Sequence, residues 1–218
     1  KKLLSAFLLL LPGLVSAQIS LPGFDRTYTA LQTRGYYFQA PALLVVTGVQ
    51  VPNETKVTGA NKQMVALYKL KSAVPAFANM LDATPVFFKM GQPAGEVIPV
   101  TGLVFKKGDW VAVLGACGLK TGSVRNSYAP KGDFQTTVLG HPITIRRCGT
   151  QANLATIKGQ CRTASGTGLW SANTHEVSRV RLFIAGQGQA MTYDKKTGRS
   201  PAVLDVDDTA PPMIGKTG

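Results

Sequence analysis

The segment Arg179-Val180-Arg181-Leu182-Phe183-Ile184 repeats with a period of two, setting arginine on one face and Val180, Leu182 and Ile184 on the other. Successive side chains of a strand point to opposite faces of its sheet, so this is the pattern of a half-buried antiparallel strand. Gly186 ends it. Far upstream, Tyr36-Tyr37-Phe38-Gln39-Ala40 stops at Pro41, and Leu43-Leu44-Val45-Val46-Thr47-Gly48-Val49-Gln50-Val51 runs to Pro52. Both stretches are rich in β-branched or aromatic residues and bounded by turn formers, which reads as strand.

Gln63-Met64-Val65-Ala66-Leu67-Tyr68-Lys69-Leu70 has apolar spacing that also suits a short helix, but its length and the nearby Pro75 favour strand. Leu103-Val104-Phe105, Lys106-Lys107-Gly108-Asp109 and Trp110-Val111-Ala112-Val113-Leu114-Gly115 read as strand, turn and strand, with hairpin chemistry at Gly108. Phe134-Gln135-Thr136-Thr137-Val138-Leu139 and Ile143-Thr144-Ile145-Arg146-Arg147 flank the connection Gly140-His141-Pro142. Strands follow one another without long amphipathic helices between them and without an internal repeat. An all-β, antiparallel β-sandwich of jelly-roll-like type is the expected architecture.

The composition agrees. Of 218 residues, 44% are hydrophobic and 16% charged, and mean hydropathy is +0.08, which excludes a disordered chain or a coiled coil. Lysine and arginine number 24 against 11 acidic residues, a net charge of +13. Such a balance invites a nucleic-acid reading. The basic residues are dispersed in ones and twos, however, and lack both the clustering and the interleaved stacking aromatics that nucleic-acid binding uses. The positive field is better suited to anionic glycans or a cell envelope, an association that weakens as salt rises.

Lys1 and Lys2 lead into an apolar run, Leu3 to Leu11, then Pro12-Gly13 and the small-x-small tripeptide Val15-Ser16-Ala17. Residues 1–17 therefore read as a secretory signal peptide, too short in its apolar part for a spanning helix of roughly 20 residues. Residues 18–186 form the expected sandwich domain. Residues 187–218 read as a flexible tail or linker, with Val203–Asp207 as its one alternating run. Export makes disulfides admissible, and Cys148 and Cys161 lie close enough to staple the loop between them, leaving Cys117 over. Three buried thiols are the rival expectation.

The blocks Gly35–Pro41, Thr47–Pro52, Gly108–Gly115, Asn126-Ser127-Tyr128, Phe134–Leu154, Leu169-Trp170 and Val177–Val180 resemble, in their order, secreted bacterial β-sandwich proteins. Many of those carry a C-terminal PEP-type sorting signal. The resemblance spans roughly residues 35–185 and implies an exported, surface-associated sandwich with no implied chemistry. Residues 187–218 depart from the sorting pattern, lacking a Pro-Glu-Pro box and a closing basic cluster.

The arrangements that would carry catalysis fail on spacing. His175-Glu176 begins like a zinc-protease helix, but Arg179 stands where the second histidine belongs. Gly115–Thr121 mimics a phosphate loop, yet Leu119 separates Gly118 from Lys120. No Gly-x-Ser-x-Gly elbow occurs, His141 before Pro142 reads as a turn residue, and the scarce carboxylates show no pairing suited to glycoside hydrolysis. Asp205, Asp207 and Asp208 are a weak Ca²⁺ candidate without an EF-hand loop around them, a solvated acidic patch being the simpler reading.

The sequence thus points to a secreted, non-enzymatic surface, matrix or adhesive protein with no required cofactor. A carbohydrate-binding module is one alternative, with Tyr36, Tyr37 and Trp170 as platform aromatics. Trp110 joins them as a candidate, although its apolar strand argues for a core position. The other alternative is self-assembly into an extracellular polymer, in which an alternating terminal segment completes a neighbour's sheet edge.

Overall fold

A computed structural model of the chain describes residues 17–54, 62–118, 122–172 and 176–185. The expected leader up to Ser16, the expected tail 187–218 with Asp205, Asp207 and Asp208, and His175 lie outside the described residues.

In chain order the strands are β1 (Ala17–Gln18), β2 (Arg26–Ala30), β3 (Arg34–Gln39), β4 (Leu44–Gln50) and β5 (Lys62–Leu70). Next come β6 (Phe87–Pro93), β7 (Ile98–Phe105), β8 (Trp110–Gly118), β9 (Val124–Lys131), β10 (Phe134–Val138) and β11 (His141–Gly149). One helical turn, α1 (Leu154–Ile157), precedes β12 (Trp170–Ser171), β13 (Glu176–Ser178) and β14 (Arg181–Ala185).

Every ladder between these strands is antiparallel. The smaller sheet has the order β1-β14-β4-β7. The larger runs β10-β11-β3-β8-β5-β6, with β12 added to β11, β9 to β8, and both β2 and β13 to β9. Their inner faces meet in one core: Leu44, Val46 and Val49 of β4 and Leu182 and Ile184 of β14 lie against Tyr36, Phe38, Val65, Leu67, Val111, Val113 and Ile145 of the larger sheet. The arginine-out, apolar-in pattern of β14 is present, with Leu182 and Ile184 buried and Arg181 and Phe183 half-buried. Each buried aliphatic or aromatic side chain contributes about 1.5–3 kcal/mol relative to exposure, so this shared face dominates cohesion between the layers.

The outer face of the larger sheet is buried too. Tyr37, Met64, Ala66, Tyr68, Ala112, Leu114, Ala116 and Cys148 form a second core roofed by Val74, Ala83, Leu154, Cys161 and Leu169. This explains why β8 reads as a continuous apolar run: a strand covered on both faces has no solvent side on which to place polar residues. The roof consists of irregular segments joined by backbone bonds, Leu81 with Leu169 and Ala83 with Cys161, at 2.8–3.0 Å. A four-residue helix cannot hold itself in water. Burial of Leu154 and the cap from Asn153, whose side chain accepts from Ala155 N at 2.8 Å, keep α1 in place.

Two local expectations need correction. The segments Leu103–Phe105 and Trp110–Gly115 do not form a hairpin: β7 pairs with β4 in the smaller sheet, whereas β8 pairs with β3 and β5 in the larger. The turn between them is real, with Asp109 N donating to Lys106 O at 3.0 Å, Lys106 N donating to the Asp109 carboxylate at 2.6 Å and Gly108 at φ +90°. It carries the chain across the sandwich because the two strands need different cover. β7 buries one face, and β8 buries both. The connection after β10 is likewise shorter than expected. Leu139 and Gly140, at φ 49° and 80°, make a two-residue turn that leaves His141 and Pro142 inside β11.

The expected Cys148–Cys161 bridge is absent; all three cysteines are buried free thiols. The loop between them is held instead by its backbone bonds and by Leu154. Burial pushes the Cys148 thiol well above its ordinary pKa and raises that of Cys161, while Cys117 is pushed up to about 11. Thiols so disfavoured as thiolates are poor nucleophiles.

Candidate functional site

Trp110 is the first residue of β8, beside the Lys106–Asp109 turn, and this terminal position leaves it half-buried where residues 111–117 are enclosed. It lines an open cleft of about 520 Å³ whose other walls are Gln39, Ala40 and Pro41 after β3, Lys107 and Gly108 of the turn, and Pro142, Ile143, Thr144 and Arg146 of β11. Three elements distant in sequence build it because β3 lies between β8 and β11 in the larger sheet. The rim is braced: Gln39 Nε2 donates to Gly108 O at 3.0 Å, and Gly108 N donates to Ala40 O at 2.8 Å. Tyr37 supports Trp110 from beside it, with ring centres 5.9 Å apart and planes tilted by 45°.

Charge in the cleft is one-signed. Lys107 and Arg146 are its ionisable lining residues, and Arg146 Nε donates to Asp133 at 2.8 Å, a half-exposed pair that steadies the guanidinium. An exposed pair of this kind contributes about 0–1 kcal/mol to stability. Its effect is to hold Arg146 in position. An aromatic side chain, a fixed guanidinium, a lysine and neutral polar groups around a concave opening suit a ligand with an apolar face and anionic substituents.

The other expected platform aromatics are not platforms. Tyr36 is fully buried between the sheets, where its hydroxyl donates to Val180 O at 2.9 Å and desolvation pushes its pKa up. Tyr37 is 5% exposed and faces the second core. Trp170 is 7% exposed, with the Arg34 and Arg147 guanidiniums 5.0 and 5.3 Å from its ring centre and Phe77 set edge-on at 5.1 Å.

Gly149 makes that cluster sterically feasible. In the ladder Arg34 pairs with Gly149, and Gly149 with Trp170, so the three share a face across three strands. A Cβ on Gly149 would come within 2.6 Å of Arg34 Cδ and 2.9 Å of Thr33 O. The missing side chain lets Arg34 cross to the indole. Three buried N–H groups in the cluster, Arg34 Nε, Arg147 Nε and Trp170 Nε1, have no hydrogen-bond partner. Each such donor costs about 1–3 kcal/mol.

His141, the other histidine considered, is exposed at the start of β11, and Glu176 is buried in an ion pair with Arg26. Among the described residues, no helix is long and apolar enough to cross a membrane. No known protein family, curated protein or solved structure matches this chain.

Proposed function

We propose that the chain is an exported, non-catalytic adhesive domain that holds an anionic polysaccharide in the cleft at Trp110. The observation that carries this reading is the half-buried Trp110 lining an open cleft with Lys107 and Arg146. The ring offers an apolar face to a sugar, and Arg146 offers a planar fork to a carboxylate or sulfate. The excess of basic over acidic residues, which persists without Lys1 and Lys2 of the leader-like segment, adds a long-range attraction for polyanions, and that segment, ending at Ala17, supports export.

Assembly through strand addition is less well supported. β7, at the edge of the smaller sheet, carries Pro99, which lacks a donor, and its register against β4 shifts between Val46 and Gly48. Both features blunt an edge against pairing.

A glycan array comparing sulfated or uronate-containing chains with neutral ones tests the proposal. Selective retention of the acidic chains, lost as salt rises, is the expected result. Silence toward every acidic chain contradicts it.

A further inference from the structure

We propose that Arg34, Arg147 and Trp170 form a buried site for a small oxyanion, separate from the Trp110 cleft and independent of it. Arg34 and Arg147 are only 5% and 7% exposed, and both guanidiniums lie against one indole. Two like charges held this far from bulk solvent call for a counter-charge.

None is supplied by the described residues around Arg34. Its Nη atoms donate to the carbonyls of Thr33 and Thr150 and to the side-chain oxygens of Gln32 and Gln151, all neutral acceptors. Arg147 bonds the Tyr128 phenol, also neutral. Glu176, the buried carboxylate that acts on that phenol, is engaged by Arg26. Desolvation first, and Arg147 second, hold Arg34 down at about 10.

The unpartnered atoms sharpen the case. Arg34 Nε–H, Arg147 Nε–H and Trp170 Nε1–H are donors on three neighbouring side chains, both arginines being set against the one indole. An oxyanion accepts several N–H bonds at once and cancels the excess charge, so one ligand class answers both deficits. Halide would cancel charge with weaker directional bonding. A neutral ligand would leave the charges uncompensated.

The test uses a Trp110→Phe chain, in which Trp170 is the remaining tryptophan and reports by fluorescence. Sulfate, phosphate and glucuronate are each titrated at ionic strength held constant with sodium chloride, and melting is followed alongside. A saturable fluorescence change with a rise in Tm is expected for at least one oxyanion. Response to sulfate and phosphate alone supports a tetrahedral ligand, and response to glucuronate as well supports a general carboxylate or oxyanion site. Arg147→Met should abolish the effect. Arg147→Lys, which keeps the charge but loses the Nε–H, should weaken binding at least tenfold and serves if the methionine variant does not fold. No saturable change with any of the three anions, or an unchanged response in the Arg147 variants, overturns the proposal.

Discussion

The Tyr36 hydroxyl donates a 2.9 Å hydrogen bond to the Val180 carbonyl, at the point where the chain passes from β13 in the larger sheet to β14 in the smaller. One phenol thus ties the two layers together through a buried backbone group. Tyr36→Phe keeps the ring and removes this bond to the carbonyl, which should cost about 1–2 kcal/mol. Thermal melting should fall by about 2–8 °C for a domain of this size. An unchanged melting temperature would show that the bond contributes nothing.

Alkaline stability follows from the buried acids. Burial raises the pKa values of Tyr36, Tyr68, Cys117, Cys148 and Cys161 above their ordinary values, so the folded state holds protons that the unfolded state releases. Their contribution is fully present below the unfolded thiol value of about 8.5 and is lost as pH rises. Arg34, lowered to about 10, acts in the opposite direction above that pH. Urea midpoints should therefore be level from pH 6 to 8 and fall between pH 8 and 10. Cys148→Ala should flatten the early part of that fall.

Glycines divide sharply by surroundings. A Cβ on Gly35 would come within 1.8 Å of Val113 O, and the central strands cannot part to admit it. Gly35→Ala should cost more than about 3 kcal/mol or prevent folding. Gly23, with nothing within 4 Å of its Cβ position, should accept alanine with a change within about 1 kcal/mol. Chemical denaturation of the two variants checks both values.

The thiols give a covalent readout. Native protein should resist alkylation at Cys117, Cys148 and Cys161, because all three are buried and free. After unfolding without reductant, mass spectrometry should find every cysteine alkylated. A peptide pair linked through Cys148 and Cys161 would refute the free-thiol state.

The layered antiparallel fold was legible where one residue pattern had one meaning. The alternation before Ile184 and the apolar stretch Leu43–Val51 both mark strands, and strands they are. β9 was missed because its middle is polar. Asn126 and Ser127 are buried there through bonds that sequence does not display: Asn126 Oδ1 accepts from Arg34 N at 2.8 Å, and Ser127 O from Arg179 N at 2.7 Å.

The tryptophans show why the site was harder to read. Trp110 lies in an apolar strand, which suggested core, yet it is the strand's first residue and opens onto a cleft. Trp170 reads as a platform aromatic, yet pairing of β12 with β11 brings it beneath two arginines. Local composition reports the neighbours in sequence. Burial of Trp170 depends on Gly149 and Arg34, which belong to other strands.

Calorimetric titration of heparin into the wild-type chain and into Trp110→Ala, at low and at high salt, bears most directly on the proposed glycan cleft. Saturable binding by the wild type, weakened by salt and reduced at least about tenfold in the folded variant, is the expected result, a loss of about 1.4 kcal/mol or more. Binding of equal strength by Trp110→Ala, or no saturable binding by the wild type, would contradict it.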